Sequence, residues 1–132
     1  MSDLLLDTCA VLWLAAGDQL APEARAAVMQ RRLHVSPITA WEIANLSRKN
    51  RIVLAAPAAS WFRQVLQEMG AILPEMTIDV LVDSCLLPGA PPADPADRII
   101  IATARETGLA ILTRDNAILA YSNAGYVKSL AC

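Results

Sequence analysis

The sequence predicts an α/β chain built in three layers (α/β/α), with helices on both faces of a mainly parallel sheet of four or five strands. Two observations carry this. Short apolar runs alternate along the chain with segments of helical character. The clearest runs, residues 4–6 and 109–112, are apolar at successive positions rather than alternate ones, as in a strand covered on both sides.

Leu4-Leu5-Leu6 is the first strand, followed by Asp7. From Thr8 the pattern suits a helix with its stop at Gly17. Pro22 opens a second helix that reaches about Arg32. Leu33-His34-Val35-Ser36 is a second strand; Ser36 then caps, and Pro37 begins, a third helix that runs to about Arg51. After a break at residues 54–57, a helix spans about residues 58–69 and stops at Gly70. Ala71-Ile72-Leu73 reads as a weak third strand. Thr77 caps a helix through Leu87, and Pro88-Gly89-Ala90-Pro91-Pro92 forms a loop. Asp94-Pro95 starts the clearest helix, ending near Gly108. A buried strand at residues 109–113, a short helix at 116–121 and a strand at Tyr126-Val127-Lys128 complete the chain.

Residues 1–132 are expected to form one domain with a single core. The net charge of -2 gives no whole-chain attraction to nucleic acid or anionic membrane. Residues 1–66 carry seven Lys/Arg against five Asp/Glu, and residues 67–132 carry four against eight. The 55% hydrophobic content is high enough that part of the surface is expected to be an interface. No run of about 20 residues lacks charge, so no membrane span is expected. No basic segment precedes Leu4, which argues against a signal peptide. Cys9, Cys85 and Cys132 are odd in number and lack metal-type spacing, which points to reduced thiols in the cytoplasm. Cys9 is expected to be a small buried packing residue.

In such sheets, ligands bind outside the carboxyl ends of the strands. Asp7 follows the first strand, and Asp115 lies two residues beyond the strand at 109–113. Asp97 is in the first turn of the helix opened by Asp94, and Glu42 lies one turn beyond Thr39 in the helix leaving the second strand. This topology brings four carboxylates to one edge. Two unit charges about 4 Å apart repel by roughly 4 kcal/mol at an effective dielectric near 20. Either some acids stay protonated or a cation neutralises them. An all-oxygen set suits Mg²⁺ or Mn²⁺, and metal-dependent phosphodiester hydrolysis is the natural chemistry. Each acid also has a local reading. Asp7, Asp94 and Asp115 suit helix caps, Asp97 faces a helix dipole, and Glu42 suits an exposed helix position. Ser36, Thr39 and Thr113 are either caps and strand polarity or donors that orient a carboxylate.

Four segments then occur in a recognisable order: Leu5-Leu6-Asp7-Thr8, Ser36-Pro37-Ile38-Thr39-Ala40-Trp41-Glu42-Ile43, Asp94-Pro95-Ala96-Asp97-Arg98, and Leu112-Thr113-Arg114-Asp115. Over nearly its whole length the chain resembles PIN-domain nucleases and, among them, VapC-type toxins of type II toxin–antitoxin pairs. The resemblance implies that Asp7, Glu42, Asp97 and Asp115 are the catalytic acids. Asp7, Asp97 and Asp115 would hold metal directly or through water, and Glu42 would complete the site or orient the water. It implies cleavage of single-stranded RNA by water activated at one or two Mg²⁺ or Mn²⁺ ions, a homodimer, and an antitoxin that blocks the cleft. Two departures stand out. Many relatives carry a His shortly before the Asp-Pro-x-Asp-Arg segment, where this chain has Pro91-Pro92-Ala93. Some carry a further acid near the last one, where this chain has Asn116.

Arg48, Lys49 and Arg51 cluster at one helix end, either to contact phosphates or to complement the helix dipole. Arg98 and Arg114 each adjoin a candidate acid, suiting either an orienting salt bridge or a phosphate contact. His34 sits mid-strand and reads as structural, so no His general base is at hand. Trp61, Phe62, Val65 and Leu66 repeat at helical spacing; they read as core, with part of this face and Met69 the candidate antitoxin surface. Two rival functions remain open. One is a catalytically inactive PIN-like module that holds a structural ion or its partner. The other is a phosphatase using Asp7 as nucleophile, although no second Asp follows two residues on.

Overall fold

The computed structural model describes residues 2–132. In chain order its elements are β1 (Leu4–Leu6), α1 (Thr8–Ala16), α2 (Pro22–Gln30), β2 (Leu33–Val35), α3 (Pro37–Arg48), α4 (Ala58–Met69), α5 (Ile78–Cys85), α6 (Pro95–Thr107), β3 (Ala110–Thr113), α7 (Asn116–Asn123) and β4 (Lys128–Ala131). The strands pair in the order β2-β1-β3-β4, and every pairing is parallel. The three leucines of β1 lie at the centre. Leu5 is opposite His34 on one side and Ile111 on the other.

The sheet divides the interior. Where the composition led us to expect a single core, the structure has one apolar cluster on each face. Leu4, Leu6, Val35 and Leu112 point to the side of α1, α2, α3 and α4, where they meet Val11, Ala24, Ile43, Phe62 and Val65. Leu5 and Ile111 point to the other side, onto Ile100, Ile101, Ile118 and Tyr121 of α6 and α7. The alternation within a strand, with period two, makes this division unavoidable once helices cover both faces. Leu4, Leu5 and Leu6 are all fully buried, and burial of each such side chain stabilises by roughly 1.5–3 kcal/mol.

Two expected strands differ. Residues 71–73 form no strand of their own: only Ile72 bridges to His34, through bonds from Val35 N to Ile72 O (3.0 Å) and from Ile72 N to Leu33 O (2.8 Å). The segment lies between the left-handed cap Gly70 and Pro74, which leaves little room for a ladder. The last strand begins at Lys128 rather than at Tyr126. Tyr126 is instead drawn onto Tyr121, with ring centroids 4.9 Å apart. Three helices also end earlier than expected, at Gln30, Arg48 and Cys85. Among the described residues no helix is long and apolar enough to cross a membrane.

Candidate active site

Four separate segments each bring one acid to the carboxyl edge of the sheet. Asp7, 4% exposed, joins β1 to α1 and caps that helix: Oδ1 accepts from Ala10 N at 2.8 Å. Its Oδ2 accepts from the Thr113 hydroxyl at 2.5 Å. Thr113 Oγ1 in turn accepts from the backbone N of Asp115 at 2.9 Å, so one hydroxyl links both acids. Asp115 caps α7, with Oδ1 accepting from Ala117 N and Ile118 N at 2.8 and 3.0 Å. Glu42, on α3, accepts from the Thr8 hydroxyl, which also lies 3.3 Å from Thr39 Oγ1. Ser36 caps α3 through Ile38 N at 3.2 Å, fixing the start of the helix that carries Glu42. Asp97 lies in the first turn of α6, half-buried and without a hydrogen-bond partner for its carboxylate among the described residues. Together with Asp94, the four acids line one cleft of about 390 Å³.

Three of these acids, Asp97, Asp7 and Glu42, hold their protons more tightly than usual. Burial, reinforced by Asp94, Asp115, Glu42 and Asp7, raises the Asp97 carboxyl to about 7. Burial also raises Asp7, and Asp115 adds to it, while the bonds from Thr113 and Ala10 pull the other way. Glu42 is raised by burial and by Asp94 and Asp7, against the bond from Thr8. Among the described residues no Lys or Arg forms an ion pair with any of them.

The donor set suits a hard divalent cation: every candidate ligand is a carboxylate oxygen, and among the described residues neither oxygen of Asp97 has a hydrogen-bond partner. Among the described residues no three Asp, Glu, His or Cys side chains converge closely enough to hold an ion. The Thr8 hydroxyl holds Glu42, and the Thr113 hydroxyl holds Asp7.

A family model described as PIN domain matches residues 4–123. The chain belongs to the PIN-domain family. Within that family it resembles the VapC proteins: it is 34% identical over 117 residues to Ribonuclease VapC22 of Mycobacterium tuberculosis (strain ATCC 25618 / H37Rv), covering 87% of this chain and 88% of the relative. Among solved structures, DNA-bound VapBC from Salmonella typhimurium superposes with a TM-score of 0.67 at 16% identity, over 99% of this chain and 98% of that one. A toxin–antitoxin complex from Klebsiella pneumoniae gives 0.65 at 21%, over 97% and 96%. FitAcB from Neisseria gonorrhoeae gives 0.58 at 22%, over 96% of both chains. At these identities the structural likeness is one of fold.

The basic residues of this PIN domain divide by position. Lys49 and Arg51 line a second pocket that shares Glu42 and Asp94 with the acid cleft. Asn50, at φ 58°, reverses the chain between them, a conformation Asn tolerates better than most residues. Arg48 bonds Asn45 Oδ1 at 3.2 Å. Arg114 lines the acid cleft itself. Arg98 is absent from that lining and makes no salt bridge to Asp97. Its guanidinium donates to the carbonyls of Ser84 (2.8 Å), Cys85 (3.3 Å) and Pro92 (3.3 Å), tying the segment before α6 in place.

Cys9 is exposed and lines the cleft, contrary to the expectation of a buried packing residue. Thr8, Ala10 and Val11 take the buried positions of the first turn and leave Cys9 at the mouth. Partial burial of its sulfur and the nearby acids raise the thiol to about 11. The sequence reading missed Thr8, which holds Glu42, and Trp13, which lines the cleft. Thr8 had one signal: it follows an Asp at a strand end, as Thr113 precedes one. Phe62 and Val65 are buried in the core, with Trp61, Leu66 and Met69 partly buried against it. His34 Nδ1 lies 3.2 Å from the Leu4 carbonyl in the sheet.

Proposed function

We propose that this chain is a divalent-metal-dependent endoribonuclease toxin, active in the cytoplasm as a homodimer and neutralised by a cognate antitoxin. The observation that carries the reading is the meeting of Asp7, Glu42, Asp97 and Asp115 in one cleft of a PIN domain, without a basic partner among the described residues. The name of the M. tuberculosis relative supports the choice of RNA. The toxin–antitoxin complexes that share the fold support a protein partner. Residues 1–132 act as one nuclease domain in this reading, and exposed Ile78 and Val82 on α5, with Leu86 at its C-cap, offer apolar surface for a second copy.

Asp7, Asp97 and Asp115 would hold Mg²⁺ or Mn²⁺, which when bound lowers the pKa of water and neutralises charge developing on the phosphoryl oxygens. Thr113 fixes Asp7 and Asp115 relative to each other, so two ligands arrive in a set geometry. Thr8 holds Glu42 by Oε1 and leaves Oε2 to orient the attacking water and accept its proton. The water oxygen would form a bond to phosphorus as its proton passes to Glu42, one bridging P–O bond would break, and the leaving ribose oxygen would take up a proton from solvent. Lys49, Arg51 and Arg114 border the acids where the RNA backbone would pass. Hydrogen bonds to both oxygens of Asp7 suit an orienting role rather than an attacking one, which disfavours the phosphatase reading.

Purified antitoxin-free chain, incubated with RNA and Mg²⁺ beside Asp7→Asn, tests the proposal. Cleavage that stops in EDTA and in the variant is expected. RNA binding without cleavage would favour a non-catalytic module. Cleavage that persists in EDTA would overturn the metal assignment.

A further inference from the structure

Among the described residues, Arg114 is the one basic residue in the lining of the cleft that Asp7, Glu42, Asp94, Asp97 and Asp115 also line. Yet among the described residues it forms an ion pair with none of them. Its guanidinium carbon lies 4.0 Å from the centroid of the Trp13 ring. Nη2 donates to the Gln19 carbonyl at 2.9 Å, and the side chain also reaches the Cys132 sulfur. Here α1, the loop after it and the end of β4 hold it flat and apart, with donors of its fork still unused. Such an arrangement keeps a positive charge ready for an incoming anion in a cleft that otherwise repels anions.

We propose that Arg114 is the phosphate-binding residue of this cleft and that Trp13 is the positioning residue that holds it ready. The ligand is a phosphodiester of single-stranded RNA next to the one cleaved. The inference rests on the ribonuclease reading and adds to it a residue pair that gives substrate affinity separately from hydrolysis.

The test uses the full chain with a fluorescein-labelled single-stranded RNA. Anisotropy gives Kd in Ca²⁺, and cleavage in Mg²⁺ gives KM and kcat separately. For Arg114→Gln we expect Kd and KM to rise about tenfold or more while kcat changes by no more than about threefold. Arg114→Lys should recover only part of the loss, because an ammonium does not stack flat. Trp13→Leu should weaken binding in the same way, and Trp13→Phe should restore it, with thermal melts confirming that each variant is folded. If Arg114→Gln binds and cleaves with unchanged Kd and KM while the wild type is active, the clamp assignment is wrong and the ribonuclease reading stands. If the wild type cleaves no RNA, both fall.

Discussion

Thr113 and Asp7 are 106 positions apart in sequence, and their side chains share a 2.5 Å hydrogen bond. The same hydroxyl accepts from Asp115 N, so it sets the spacing of two of the four acids. Thr113→Val keeps the shape and removes the hydroxyl. Asp7, nearly fully buried, would lose a donor, at a cost of about 1–3 kcal/mol in stability. Denaturant unfolding should show that loss. RNA cleavage should fall at least about tenfold, the equivalent of 1.4 kcal/mol in the barrier. Thr113→Ser should retain most of both.

The raised Asp97 carboxyl gives the metal-free protein a pH dependence of defined sign. Its proton is bound more tightly in the folded chain, at about 7, than at the ordinary value of 3.8. The associated stability is therefore full below about pH 4 and is lost as pH rises through 7. Thermal melts in EDTA should show lower stability at pH 8 than at pH 5. Asp97→Asn should flatten that slope and stabilise the metal-free chain at pH 8 by roughly 1–2 kcal/mol, allowing for solvent screening. The same variant should abolish cleavage.

If Asp97 is a metal ligand, as proposed, Mg²⁺ would have to displace that proton to bind. The rise in melting temperature on adding Mg²⁺ should accordingly be larger at pH 8 than at pH 6, and should vanish in Asp97→Asn. Equal shifts at both pH values would contradict the assignment of Asp97 as a ligand.

Gly89 has a φ of +71°, and a Cβ there would meet Tyr126 Cε2 at 2.5 Å. The neighbouring Pro88 carbonyl accepts from the Tyr121 hydroxyl at 2.5 Å. Gly89→Ala is expected to destabilise by about 1–3 kcal/mol, since both backbone and ring must move. Urea unfolding measures this. Because the loop leads into Asp94 and Asp97, cleavage should drop as well.

On α5, Ile78 is 80% exposed and Val82 50%, and Leu86, at the C-cap of that helix, is 72% exposed. If this face joins two copies, Val82→Glu should halve the mass seen by light scattering and leave the melting curve of the monomer cooperative. A dimer that survives the change would place the interface elsewhere.

What the sequence revealed depended on distance along the chain. Caps and stops act over three or four residues, and they were readable: Ser36-Pro37 opens α3, Gly70 closes α4, and Asp94-Pro95 opens α6. Asp7 and Asp115 were readable as candidates because each follows a strand, Glu42 because it lies on the helix that leaves β2, and Asp97 because it lies in the first turn of the helix opened by Asp94-Pro95. Contacts between distant residues were not. Nothing local distinguishes an Arg98 facing Asp97 from one bonded to Ser84, Cys85 and Pro92. Likewise, Tyr126 looks strand-forming until Tyr121 supplies its ring. Trp13 reads as one more apolar helix residue until Arg114 arrives from the far end of the chain.

The strand order β2-β1-β3-β4 has a consequence for biosynthesis. The central strand is made first, yet one of its neighbours, β3, is made more than a hundred residues later. Until that neighbour docks, Asp7 has neither Thr113 nor Asp115 beside it. A polypeptide still emerging from the ribosome therefore lacks the finished cleft, and the two acids that Thr113 links are brought together only when the far end of the chain has been made.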